Sequence, residues 1–130
     1  NSLEEKDKLF CNIVRDADKI DILYLCSIRH IKRDIENDFF SDKIYSDLLN
    51  ERQINRRDIK TKGDNLSVSL GLVYGINYDK SLEIIKEKDY INQIIRIYQN
   101  LTHNEIMKEQ LEEVKNKIYD YLKGEKRHVR

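Results

Sequence analysis

Ile13-Val14-Arg15-Asp16-Ala17-Asp18-Lys19-Ile20-Asp21-Ile22-Leu23-Tyr24-Leu25-Cys26-Ser27-Ile28-Arg29 decides the fold, because this stretch has the period of an amphipathic helix yet carries acids among its apolar positions. At about 100° per residue, Ile13, Ala17, Ile20, Tyr24 and Ile28 share one side, Val14 and Leu25 lie just beside them, and Asp21 lands in their midst. Asp18, three residues before Asp21, sits at the margin of that face, whereas Asp16 is read as pointing the other way. A carboxylate facing a core is costly unless it is ion-paired, hydrogen-bonded or bound to a cation. Two readings follow. Either an Arg or Lys from a neighbouring helix pairs with these acids, as structural ion-pair networks do, or they belong to a site with a counter-charge.

Working outward, 130 residues are enough for one domain with a single core. Charged residues at 37% and hydrophobic ones at 39% suit thin amphipathic helices with charged outer faces. Proline is absent and only four glycines occur, so the turn punctuation that an all-β fold needs is missing. The expectation is an all-α fold, an irregular helical bundle rather than a coiled coil, since no heptad repeat is sustained. Lys plus Arg and Asp plus Glu both number 24, which removes the electrostatic argument for a nucleic-acid polymer or an anionic membrane as partner. Cys11 and Cys26, if on one helix, stand roughly 22 Å apart along its axis and cannot pair with each other. No Cys/His cluster suggests structural zinc, and no long apolar run suggests a signal or a membrane span. A soluble, cytoplasmic protein is expected.

Along the chain, Ser2-Leu3-Glu4-Glu5 fits a capping box and predicts a helix from about residue 3, with the organising helix continuing to about Arg29. His30 to Asp38 either extends it or forms a second piece. Ser41-Asp42 opens a short helix over 42–50. Residues 51–62 are polar and hold Arg52, Arg56, Arg57, Lys60 and Lys62, either as a solvated connector or as an electropositive rim for a phosphorylated substrate. The apolar run Leu66 to Ile76 is read as a buried helix, and Asp79 to Tyr98 as one long helix of about twenty residues. Thr102-His103-Asn104-Glu105 reads as a second capping box, and Gly124 as the stop of the last helix. This gives a single helical domain over residues 1–123 and a frayed basic tail over 124–130.

Asp16-Ala17-Asp18-Lys19-Ile20-Asp21, preceded by Ile-Val-Arg, resembles the Asp-Ala-Asp-(Lys/Arg)-Leu-Asp segment of HD-domain metal-dependent phosphohydrolases. Ile59-Lys60-Thr61-Lys62-Gly63-Asp64, and the run from Asn77-Tyr78-Asp79-Lys80-Ser81-Leu82 to Glu87-Lys88-Asp89-Tyr90-Ile91, are similar to the C-terminal half of a bacterial branch of that family. The resemblance covers most of residues 10–98. It implies that Asp18 is the last ligand of a divalent metal such as Mn, Mg or Fe, and that Lys19 matches a position contacting substrate phosphate in some nucleotide-acting relatives. The family's other ligands are a His and an adjacent His-Asp pair on earlier helices. This chain has no His-Asp dipeptide, and His30, His103 and His128 all follow the aspartate motif. The expectation is therefore the C-terminal portion of a longer phosphohydrolase acting on phosphate esters or nucleotides, inactive and metal-free by itself.

Arg29 lies on the Asp18, Ile22, Leu25 stripe and is a second candidate phosphate ligand, with a structural salt bridge as the alternative. Thr61, Lys62 and Asp64 match the family segment without an assignable role. A different class of function, a non-catalytic helical interaction or regulatory module, rests on the missing His ligands and the charged helix faces. Because the apolar face of the aspartate helix would be uncovered in such a portion, self-association is also expected.

Overall fold

Ile91, Ile94, Ile95 and Tyr98 follow the i, i+3, i+4, i+7 spacing of one helix face, and all four are buried. They lie at the centre of a computed structural model that describes residues 2–28 and 38–124. Its helices are α1 (Ser2–Ile28), α2 (Asp42–Leu49), α3 (Asp64–Leu70), α4 (Asp79–Glu87), α5 (Tyr90–Leu101) and α6 (Glu105–Lys123), with 3₁₀ turns at Arg56–Asp58 and Gly71–Gly75. No strand occurs among the described residues, and the fold is an all-α bundle. No helix among them is long and apolar enough to cross a membrane. Arg29, the continuation expected from His30, and the tail over 125–130 with His128 lie outside the described residues.

The core is built around α5 and α6 rather than around α1. Met107, Leu111, Val114, Ile118, Tyr121 and Leu122 of α6 close on the α5 face, and Phe40, Ile44, Leu48, Leu66, Leu70, Val73, Ile76, Leu82 and Ile85 fill in from the shorter elements. From α1 only Leu23 joins this set of fully buried apolar side chains. The helix lies across α5, flanked by α3 and α4. Its first turns, from Ser2 to Cys11, are exposed throughout.

Three local expectations are corrected. Residues 79–98 are not one helix: Asp89 takes a left-handed conformation with φ of 57° and divides α4 from α5. Asp89 is held there by its side chain, which accepts hydrogen bonds from the Tyr119 hydroxyl of α6 and from Asn92 Nδ2. These bonds offset the cost of a positive φ in a residue with a Cβ. The second correction is at α6, whose N-cap is Asn104, not Thr102; Asn104 Oδ1 accepts from the backbone N–H groups of Ile106 and Met107 at 2.9 and 3.2 Å. The third is the run 64–76, which is helical and buried as expected but tightens into a 3₁₀ turn at Gly71. Gly124, at φ 80°, ends α6 as expected, its N–H donating to Tyr121 O.

Candidate functional site

Asp16, the acid expected to face solvent, is buried at 2% exposure. Its Oδ1 accepts from Asn77 N at 2.8 Å and Asn77 Nδ2 at 3.0 Å, and its Oδ2 accepts from Tyr78 N at 3.1 Å. One turn along, Lys19 Nζ donates to Gly75 O at 2.8 Å. Two of the motif's four charges, Asp16 and Lys19, thus grip the two ends of the segment 75–78, the carboxylate on N–H groups just ahead of α4 and the ammonium on a carbonyl at the end of the 3₁₀ turn. Each charge is matched to the backbone polarity it meets. Asp16, Lys19, Leu23 and Ser27 form the inward stripe of α1.

The stripe read as the core face is on the other side. Ile13 is 50% and Ile28 54% exposed, and Val14, Tyr24 and Leu25 are exposed as well, while Ile20 is partly buried against the core. Periodicity identified a real stripe but not the one the body covers. Asp18 and Asp21 accompany this outer surface, both exposed, and neither makes a hydrogen bond or ion pair among the described residues. Asp21 borders an open apolar pocket of about 410 Å³ lined also by Ala17, Ile20, Tyr24, Ile84 and Tyr90, where the Tyr24 and Tyr90 rings meet edge to face at 6.0 Å.

The segment Thr61-Lys62-Gly63-Asp64, without a role in the sequence, is a clasp. Asp64 is fully buried; its carboxylate accepts from Ser41 N and Ser41 Oγ, both at 2.8 Å, and from Lys60 N and Thr61 N at 3.0 and 3.1 Å. Burial pushes the Asp64 carboxyl up, but the hydrogen bonds from Lys60, Ser41 and Thr61 outweigh it and hold the pKa below its ordinary value. Asp38 Oδ2 accepts from Lys62 N at 2.6 Å, and the Thr61 hydroxyl donates to Phe39 O at 2.8 Å. Gly63 passes so close to this strap that a Cβ there would stand 3.2 Å from Phe39 O. Ser41, read as a helix cap, makes no side-chain cap bond and spends its hydroxyl on Asp64. The Thr61 hydroxyl, the Lys62 backbone N–H and the Asp64 carboxylate therefore order the connector.

That ordered connector presents Arg56. Asn55 Oδ1 accepts from Arg57 N at 3.1 Å and caps the 3₁₀ turn, fixing the backbone on which Arg56 is carried. Arg56 then lines a pocket of about 230 Å³ with Ile22 and Cys26 of α1, Asn65, Leu66, Val68 and Ser69 of α3, Leu72, and Tyr98 of α5. The guanidinium makes no hydrogen bond or ion pair among the described residues. Sequence reading found Arg56 only as one basic residue among five, because the pocket depends on residues over forty positions apart.

As for a metal, Asp18 has the right donor chemistry and an unengaged carboxylate. Among the described residues no group of three His, Cys, Asp or Glu side chains could hold an ion. His103 is exposed, beyond the cap of α6. Comparison with family models, with curated proteins and with solved structures finds no match in any of the three.

Proposed function

We propose that this chain is the C-terminal portion of a metal-dependent phosphohydrolase of the HD superfamily, inactive alone, whose intact form hydrolyses phosphate esters or nucleotides in the cytoplasm. One observation carries this reading: Asp18 stands without a hydrogen bond or ion pair among the described residues, on α1 beside an apolar stripe that the helical body covers only in part. The rest of the resemblance supports it, since the acids of the motif divide into one that builds the helix junction, Asp16, and two that are left available, Asp18 and Asp21, of which Asp18 matches the family's ligand position. In the intact protein the preceding helices pack on Ile13, Ala17, Tyr24 and Ile28 and bring their His and His-Asp groups towards Asp18. Bound there, a divalent ion supplies an activated water and neutralises phosphoryl charge. The part of this chain is to hold Asp18 on a helix whose inner side is fastened at both ends of the segment 75–78. Lys19 keeps its phosphate role only through donor capacity beyond the bond to Gly75 O.

The test extends the reading frame upstream and measures manganese-dependent phosphate release. The intact parent is expected to be active, Asp18→Asn to lose metal binding and activity by orders of magnitude, and the 130-residue chain to show neither. Full activity of Asp18→Asn in the parent removes this aspartate from the mechanism. The second reading, a non-catalytic interaction module, takes its support from the same bare stripe. An upstream sequence without the His and His-Asp groups favours it over the enzyme. Under either reading the isolated chain self-associates through the stripe, seen as concentration-dependent sedimentation.

A further inference from the structure

We infer that the pocket beneath Arg56 is a binding site for a small, hydroxylated phosphate ester of the size of a sugar phosphate. This rests on the phosphohydrolase reading for its link to Asp18, and on the pocket's own chemistry for the ligand. Residues 51–62 carry five basic side chains against Glu51 and Asp58, a local excess of positive charge in a chain whose formal net charge is zero. Arg52 is engaged, its Nη1 lying 3.4 Å from Asp47 Oδ1. Arg56 is not engaged, and it alone of the five lines the pocket. A planar guanidinium with unspent donors on a rigid turn is suited to two oxygens of one phosphate.

The remaining polar groups point to hydroxyls rather than to a second anion. Ser69 Oγ donates its proton to Leu66 O at 2.9 Å, which leaves its oxygen as an acceptor. Asn65, one turn before it on α3, offers both an amide donor and an acceptor, and its side chain is not bonded within the described residues. Ile22, Leu66, Leu72 and the ring of Tyr98 add apolar surface to the lining. At about 230 Å³ the space lies below the ~300 Å³ at which drug-sized pockets begin, which favours a ligand of hexose-phosphate size over a nucleotide. The site also has a direction. Ile22 lies one turn beyond Asp18 on α1, roughly 6 Å along the axis, so a phosphate at this pocket sits on the side of the helix that carries Asp18.

Cys26 lines the pocket half-buried, whereas Cys11 is exposed and lies eleven positions before Ile22, the nearest pocket residue of α1. Alkylation of the two thiols by iodoacetamide, followed by peptide mass spectrometry of the 130-residue chain in EDTA, therefore reads occupancy with an internal control. Glucose 6-phosphate at ten times its Kd is expected to slow modification of Cys26 roughly tenfold by mass action and to leave Cys11 unchanged. Arg56→Gln, which touches an exposed guanidinium, should abolish the protection, and Asp18→Asn should preserve it. The inference is overturned by no protection, by equal protection of both cysteines, by protection that survives Arg56→Gln, or by stronger protection from adenosine monophosphate than from the sugar phosphate. Protection in this chain with an inactive parent retains the pocket and removes the phosphohydrolase reading; an active parent without protection does the reverse.

Discussion

Asp16 and Asp18 stand two residues apart on α1 and have opposite fates. Asp16 is buried and accepts three hydrogen bonds from Asn77 and Tyr78; Asp18 is exposed and accepts none among the described residues. Two acids of one motif can thus differ entirely in solvation: one is built into the fold, and the other keeps an unengaged carboxylate. Backbone N–H groups can replace water around an anion and make it part of the fold. An acid without such donors keeps its capacity for a cation.

The strongest way to break this comparison is at Asp64, where four donors converge on one fully buried carboxylate. Asp64→Ala should cost about 3–5 kcal/mol in urea unfolding, since it leaves the N–H groups of Ser41, Lys60 and Thr61 without their acceptor. A loss under ~1 kcal/mol would mean that water replaces the carboxylate and that donor count is a poor guide. The same group predicts a pH dependence. Because its folded pKa is lowered from 3.8, its contribution is complete above that value and is lost as pH falls through the lower folded value. Acid unfolding of Asp64→Asn should lack this component.

Asp16→Ala should come next, at about 2–4 kcal/mol, for three donors in place of four. Lys19→Met should cost about 1 kcal/mol, the worth of one charge-assisted bond to Gly75 O on a half-buried stem. Asp18→Asn should change stability by less than ~0.5 kcal/mol, as for an exposed position without partners. If Asp18→Asn destabilises as much as Asp16→Ala, the division between the two sides of α1 fails.

The helical architecture was legible because local signals agree with it. The apolar spacing of α5, the Asp42 start of α2 and the Gly124 stop of α6 each act within a few residues, and the structure follows them. The orientation of α1 was not legible. Ile13, Ala17, Tyr24 and Ile28 make a stripe as regular as any core face, while the side that is buried carries Asp16, Lys19 and Ser27 and looks polar to any count of apolar residues. The partners that make those polar groups compatible with burial lie about sixty residues away, at Gly75, Asn77 and Tyr78. The break at Asp89 was hidden for a similar reason, since the Tyr119 hydroxyl that holds it comes from α6. At α6 two cap signals overlap, and local spacing cannot choose between Thr102 and Asn104. Of the candidate site, the motif singled out Asp18 only through resemblance, and the pocket around Arg56 was not legible.

Amide hydrogen exchange at Asn77 and Tyr78 tests the central claim most directly, because these two N–H groups donate to Asp16 and to nothing on the outer side of α1. The exchange of both amides should accelerate strongly in Asp16→Ala, which removes both acceptors, and remain at the wild-type rate in Asp18→Ala. Protection that survives in Asp16→Ala, or is lost in Asp18→Ala, would contradict the division of α1 into an inner acid that holds the fold and an outer acid that does not.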